Sequence, residues 1–344
     1  MLFGGLYEEY GTPFTGRKLD RLKAFLAKEG LSYDEGAEYT LILSDDEGNI
    51  AATGSVSGNV FKCIAVSDEY QGEGLSATVV TGLMKYALEN GRDHIFLFTK
   101  PGNLSMFADL GFYQIIRTED ILFMENRKDG IKKFVSELLE ASKNYCAAFA
   151  DACGREPLCG AIVANCNPFT LGHRFLIEEA LKQCDLLHLF VLSEDKSDFT
   201  EEERFEMVKE GIKDLRRVIL HKTSDYLISQ ATFPTYFIKD KAKAEEANCE
   251  LDVRIFGECL AGPLHIKKRF AGTEPADAVT NAYNEAMRRI LPEYGIEFTE
   301  IERLKTADGT AVSAKAARRL LSEGDYNSLR KLLPESTLNR LLPS

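Results

Sequence analysis

"VANCNPFTLGHRFLIEEA", residues 163–180, decides how this chain is read. Val163 and Ala164 close an apolar run, "CGAIVAN" (159–165), of a length and character that suit a buried strand. From Leu171 the spacing changes. Leu171, Phe175, Leu176, Ala180 and Leu181 recur at helical intervals and mark an inward stripe. Between strand and helix lies a polar corner holding Asn165, Asn167, Pro168, Thr170, Gly172 and His173. A helix that begins at such a corner presents unpaired N–H groups and the positive end of its dipole there, and both favour an anion. Gly172 permits close backbone approach. Thr170 offers a hydroxyl and His173 a ring N–H to a phosphate oxygen. Taken alone, His173 reads as a surface residue of a capped helix; the whole string carries the anion-site reading.

The text after this stretch alternates. "LLHLFVL" (186–192), "RVILH" (217–221), "KKRFAG" (267–272) and "FTEIERL" (298–304) read as strands. Helical text separates them, and "AVSAKAARRLLSEG" (311–324) follows the last. Strands alternating with helices predict a Rossmann-like parallel sheet covered on both faces. Ligands bind such sheets at the carboxyl ends of the strands, where the 163–180 corner falls.

The text before it is different. "TLILSDD" and "IAATGSVSGNVFKCIAV" read as strands joined by tight turns, and "LSATVVTGLMKYALENG" as a helix stopped at Gly91. "HIFLFTK" is a strand, "NLSMFADLG" a helix with Asn103 as its expected cap, and "FYQIIR" and "ILFMEN" are strands. The expectation is an α/β chain: a mixed-sheet domain over 1–127, a linker helix over 128–155 and a parallel-sheet domain over 156–344.

The 344 residues suit two domains. A formal net charge of −12, from 42 basic and 54 acidic residues, argues against a nucleic-acid surface. No apolar run approaches the roughly 18 residues of a membrane span, and "MLFGGLYEEYG" lacks the pattern of a signal peptide; a cytoplasmic location is the expectation. The eight cysteines form no C-x-x-C pair and read as reduced thiols, with no metal site held by protein side chains.

The string N-P-F-T-L-G-H, with Phe169 inside it, resembles the T/H-x-G-H signature of the nucleotidyltransferase superfamily. The resemblance implies ATP bound through its phosphates at Asn165, Asn167, Phe169, Gly172 and the catalytic pair Thr170 and His173. Arg204 in "FTEEERFEMV" stands where the superfamily often has an arginine, although alone it reads as a partner for nearby glutamates. Lys196, in the loop after the second strand, is placed to meet a triphosphate. "AVSAKAARRLL" resembles the second phosphate motif, I-S-x-T-x-x-R, with Ser313 as a helix cap and Arg318 as a third catalytic residue. Val312, Lys315 and Ala317 depart from that pattern. Gly272, Thr273 and Glu274 in "GTEP" read equally as adenosine contacts or as a strand-to-helix turn. Mg²⁺ would arrive with the triphosphate, which needs few protein ligands.

"DEYQGEGLSATVV" resembles the Q/R-x-x-G-x-G/A loop of the GNAT acetyltransferase fold, and "NLSMFADLGF" its later segment. Backbone N–H groups of such a loop cradle a pyrophosphate. The resemblance implies that Gln71, Gly72, Gly74, Ser76 and Asn103 bind a coenzyme-A-like group. Ser76 replaces the usual glycine or alanine, and Glu69 and Glu73 are candidate bases by position alone.

The two parts in this order resemble the [citrate (pro-3S)-lyase] ligases, and "ISQATFPTYFIKD", "KKRFAGTEP" and "IEFTEIERL" extend the likeness over nearly the whole chain. It implies that ATP and acetate give acetyl-AMP and pyrophosphate. The acetyl group then passes to the thiol of a coenzyme-A-like prosthetic group on the citrate lyase acyl carrier protein. Two alternatives stay open: an adenylyltransferase for a pantetheine phosphate or a mononucleotide fused to a GNAT fold, and a non-catalytic scaffold that binds ATP and an acyl carrier.

Overall fold

The computed structural model describes residues 5–11, 13–193, 197–227, 236–238, 240–273, 278–307 and 309–341. The chain divides into two compact units, Met1–Gly130 with Pro234–Leu251, and Ile131–Phe233 with Asp252–Ser344. The return of Pro234–Leu251 to the first unit differs from the sequence expectation, which placed it in the second. Tyr236 accounts for it: its hydroxyl donates to the Phe98 carbonyl at 2.8 Å, and its own carbonyl accepts from the Ser32 N–H at 2.7 Å.

The first unit holds β1 (Tyr7–Gly11), α1 (Gly16–Lys28), β2 (Tyr39–Ser44), β3 (Ile50–Ser57), β4 (Val60–Val66), α2 (Leu75–Glu89), β5 (Phe96–Thr99), α3 (Leu104–Asp109), β6 (Tyr113–Arg117) and β7 (Leu122–Glu125). Its described strands form one mixed sheet in the order β1-β2-β3-β4-β5-β7-β6. Only β4 and β5 run parallel, and they pair only at Val60–Phe96 and Phe61–Leu97. Beyond that point they part. Val79, Leu83 and Ala87 recur at helical spacing on α2 and pack on Leu41, Val56 and Leu97 of the sheet.

The second unit begins with α4 (Gly130–Cys153) and continues as β8 (Cys159–Ala164), α5 (Leu171–Ala180), β9 (Leu186–Val191), α6 (Glu201–Gly211), β10 (Val218–Lys222), α7 (Lys241–Ile255, of which residues up to Leu251 count with the first unit), β11 (Ile266–Gly272), α8 (Ala278–Ile290), β12 (Glu297–Ile301), α9 (Ala314–Glu323), α10 (Tyr326–Leu329) and α11 (Glu335–Leu341). Its strands form a fully parallel sheet, β10-β9-β8-β11-β12. Parallel sheets are buried on both faces, and β9 shows why its text is apolar throughout. Leu187, Leu189 and Val191 pack with Ile177 of α5 and Met207 of α6, while Phe190 points the other way, to Phe256 with ring centroids 6.3 Å apart. β8 lies at the centre, so the chain leaves the sheet at its carboxyl edge just where "NCNPFTLGH" begins.

Candidate active site

The corner after β8 is built by its own side chains. Thr170 is buried and caps α5: its Oγ1 accepts the His173 N–H at 3.3 Å. His173 returns the bond, Nδ1 accepting the Thr170 N–H at 3.0 Å. This is a capping box with histidine where glutamate or glutamine is usual. An Nδ1 that accepts leaves the hydrogen on Nε2, a tautomer assigned from the bonding geometry. Burial, and then the charge of Arg303, hold the His173 pKa down to about 4. At neutral pH the ring is therefore an uncharged donor through Nε2. Within the described residues no acceptor takes the Gly172 N–H, which stands in the same first turn.

Gly172 is required by the protein itself. A β-carbon there would stand 3.0 Å from the Val312 carbonyl oxygen. That close approach joins the corner to the second motif. Ser313 caps α9, accepting the Ala316 N–H at 3.1 Å. Arg318, farther along α9, donates from Nη1 to the Asn167 carbonyl and pairs through Nε with Asp198 at 2.8 Å. Asn167 Nδ2 donates to the same Asp198 carboxylate at 3.2 Å, while Asn167 Oδ1 is buried with no partner. Ser313 and Arg318, far along the sequence, thus meet Asn167, Thr170, Gly172 and His173 at one edge of the sheet.

Three residues expected to touch nucleotide, Arg204, Asn165 and Phe169, are held by protein partners. Arg204 is fully buried. It donates to the carbonyls of Asn165 (2.9 Å), Leu192 (2.6 Å) and Phe199 (3.1 Å) and to Asn165 Oδ1 (2.6 Å). It ties the ends of β8 and β9 together. Asn165 is committed to that clamp and to Ser197, to which its Nδ2 donates at 3.3 Å. Phe169 is fully buried too; its ring lies against Gly211, where a β-carbon would be 2.4 Å away, and stacks on the His173 ring at 5.9 Å. Its contribution is to hold the imidazole. Gly272 ends β11 beside β8, its carbonyl accepting from Asn284 Nδ2 at 3.2 Å, and the Thr273 N–H donates to the Ile301 carbonyl. Lys196 and Glu274 lie outside the described residues.

In the first unit, Gly72 and Gly74 have φ of 87° and 77°, and a β-carbon at either would meet nothing within 4 Å. The demand for glycine is conformational: both sit in the left-handed region just before α2. Gln71 Nε2 donates to Asp68 at 2.7 Å, and the Ser76 hydroxyl lies 3.7 Å from the Met106 sulfur. Asn103 precedes α3 but does not cap it with its side chain; Nδ2 turns to Thr99 Oγ1 at 2.8 Å. The side chain lines a cavity of about 210 Å³ that opens where β4 and β5 part, with Phe61, Ile64, Leu97, Tyr236 and Glu29 around it. Glu29 Oε1 is buried there without a partner, and burial pushes the carboxyl pKa up. Glu69 and Glu73, by contrast, are exposed.

Arg303 and Glu29 were not marked in the sequence. Arg303 hides in "FTEIERL", which reads as strand; Glu29 is the residue after α1, a helix visible only as the amphipathic "GRKLDRLKAFLAK".

A mixed sheet with a glycine loop ahead of a helix, followed by a parallel sheet with a capped corner after its central strand, defines a two-unit α/β protein. Residues 4–113 match the acetyltransferase (GNAT) family, and residues 159–341 match the citrate lyase ligase C-terminal domain. The chain is 38% identical over 328 residues to the [citrate [pro-3S]-lyase] ligase of Klebsiella pneumoniae, covering 94% of this chain and 92% of that one. It is 38% identical over 333 residues to the protein of that name from Haemophilus influenzae, covering 94% and 95%. The chain belongs to the citrate lyase ligase family and is an enzyme.

Proposed function

We propose that this enzyme activates acetate with ATP and acetylates the prosthetic thiol of the citrate lyase acyl carrier protein. An acetate oxygen attacks the α-phosphorus of ATP; the new P–O bond forms as the bond to the β-phosphate oxygen breaks, and pyrophosphate leaves. The thiolate of the coenzyme-A-like arm then attacks the acetyl carbonyl; the C–S bond forms, the C–O bond to phosphate breaks, and AMP leaves. The family membership supports the overall reaction. The observation that carries the ATP step is the Thr170–His173 capping box, which fixes a neutral imidazole with Nε2–H available beside the N-terminus of α5. Phosphoryl-centre chemistry of this kind needs positioned donors and charge neutralisation more than covalent help. Mg²⁺ would enter on the triphosphate with phosphate oxygens and water as ligands. Among the described residues no group of three His, Cys, Asp or Glu side chains is placed to hold a metal.

The glycine loop at Gly72 and Gly74, with the cavity beside Asn103, supports the first unit as the dock of the prosthetic arm. The test is ATP–pyrophosphate exchange. Exchange that depends on acetate and needs no carrier protein supports the ligase. Exchange supported by a pantetheine phosphate or a mononucleotide in place of acetate would reassign the enzyme as an adenylyltransferase, and nucleotide binding without exchange as a scaffold.

A further inference from the structure

Asp198 poses a problem of charge. It is exposed, two residues before Thr200, the cap of α6, and it stands among residues that the ATP reading assigns to a triphosphate. A carboxylate there repels the ligand. Its contacts offset that cost. One oxygen, Oδ2, takes both the Arg318 Nε–H at 2.8 Å and the Asn167 Nδ2–H at 3.2 Å. Arg318 also donates from Nη1 to the Asn167 carbonyl. The guanidinium is thus held at two corners, which fixes its plane, while Nη2 meets no acceptor among the described residues. The Arg318 side chain stays 32% exposed, so that free edge remains within reach of a ligand. Asp198 itself is mounted on anchored backbone. On one side Asn165 Nδ2 donates to Ser197 Oγ at 3.3 Å; on the other the Phe199 carbonyl accepts from buried Arg204 at 3.1 Å. A surface ion pair contributes little to stability; one carried by fixed backbone contributes orientation.

We propose that Asp198 is a positioning residue of this site: it locks the Arg318 guanidinium against the corner after β8, leaves the Nη2 edge for phosphate oxygens, and takes no ligand itself. The inference rests on the ATP reading above. A donor that is already oriented loses little freedom as charge develops on the phosphate, and that is where a positioned arginine acts. Without the carboxylate, the long side chain would have to give up its rotamers at that moment. Asn167 is tied to the same oxygen, so the corner and α9 share one anchor. Arg204 then serves the chemistry at one remove, because its clamp on Asn165 and Phe199 carries the segment from which Asp198 reaches Arg318.

The experiment measures acetate-dependent ATP–pyrophosphate exchange and urea denaturation in wild type, D198A, D198N, R318A and D198A/R318A. D198A is expected to lower the kcat of exchange by roughly 10- to 100-fold, while the KM for ATP does not rise, because a repelling charge has gone. D198N should recover most of kcat, since one amide oxygen can accept both donors that Oδ2 accepts. The double variant should be no slower than R318A: once the arginine is gone, nothing is left to position. The urea midpoint of D198A should match wild type; if D198A proves unstable, D198S carries the same comparison. D198A exchanging like wild type, or losses that add in the double variant, overturn the role of Asp198 and leave the ATP reading standing. So does a loss confined to the KM for ATP or for Mg²⁺, which would make Asp198 a ligand of the metal–nucleotide. R318A exchanging like wild type removes Arg318, and Asp198 with it, from the site. Failure of the wild type to exchange overturns the ATP reading and this inference together.

Discussion

The Val312 carbonyl oxygen closes on the α-carbon of Gly172, so that any β-carbon at residue 172 would lie 3.0 Å from it. The neighbour is backbone, held in place because the Val312 N–H donates to the Leu304 carbonyl. It cannot rotate away as a side chain would. Gly172→Ala should therefore force the start of α5 away from the Val312–Ser313 segment. We expect a loss of about 1–3 kcal/mol in stability, as for other overpacked sites, and a fall in exchange activity larger than that loss explains. Urea denaturation and the exchange assay measure the two. Wild-type activity in Gly172→Ala would show that the contact does not hold the two motifs in register.

Thr170 and His173 act as a pair, so their substitutions should not be additive. Thr170→Ala removes the cap of α5, costing about 1 kcal/mol, and frees the imidazole to turn. His173→Ala removes the Nε2 donor and is expected to lower exchange by about 100-fold or more. The double variant should be little worse than His173→Ala, while Thr170→Ser, which keeps the oxygen, stays near wild type. Full additivity in the exchange rates would mean that Thr170 does something other than hold the ring.

Arg204 makes a different prediction. It is fully buried and bonded to three backbone carbonyls, so its removal strands buried acceptors at the ends of two strands. Arg204→Met should cost about 3–5 kcal/mol, the range for breaking a buried charged network, and Arg204→Lys should not rescue it because an ammonium cannot reach those acceptors in the same plane. Thermal unfolding checks both. A stable Arg204→Met with lost ATP affinity would return Arg204 to the ligand-binding set.

These residues show what was open to local reading. The strand, the capped corner and the helix of 163–180 are contiguous, and each follows from spacing and cap chemistry within a few residues. Whether an arginine in "EEERFEMV" faces glutamates, phosphate or backbone depends on β8 and β9, which lie earlier in the chain, and no periodicity encodes it. Phe169 likewise reads as part of a binding string, although its ring is committed to Gly211 and His173. The return of Tyr236 to the Phe98 carbonyl spans 138 residues and leaves no local signature. Asn103 has the residue type and position of a cap, yet Thr99 competes for its side chain at 2.8 Å.

The acid sensitivity of the fold has a definite sign. Burial holds His188 down to about 4 and His221 down to about 3, His188 lowering His221 further, against 6.5 for a free imidazole. Their rings share one hydrogen bond, His188 Nδ1 to His221 Nε2 at 3.0 Å. Below pH 6.5 the unfolded chain takes up protons that the folded chain refuses until about pH 4. Their contribution is thus complete above 6.5 and is lost as pH falls toward 4, by up to about 1.4 kcal/mol per pH unit for each fully buried ring. Half-buried His173 follows the same sign with a smaller share. Urea midpoints at pH 7 and pH 5 measure the loss. His221→Gln, which does not titrate, should flatten the slope; an unchanged slope would place the acid sensitivity elsewhere.

If the reaction runs in the two proposed steps, variants at Gly72 and Gly74 should separate them. Both sit at positive φ ahead of α2, with open space where a β-carbon would go, so alanine is opposed by backbone strain alone. Each substitution should cost about 1 kcal/mol locally and reshape the loop whose N–H groups would face a pyrophosphate. Neither residue belongs to the unit that holds His173. Acetate-dependent ATP–pyrophosphate exchange should therefore survive in Gly72→Ala/Gly74→Ala, while acetylation of the carrier thiol falls at least tenfold and its KM for the carrier protein rises. Free coenzyme A, offered as a competitor of carrier acetylation, should inhibit wild type and lose its effect in the double variant. Equal loss of both half-reactions in a folded double variant would remove the glycine loop from arm binding and leave the first unit without an assigned role.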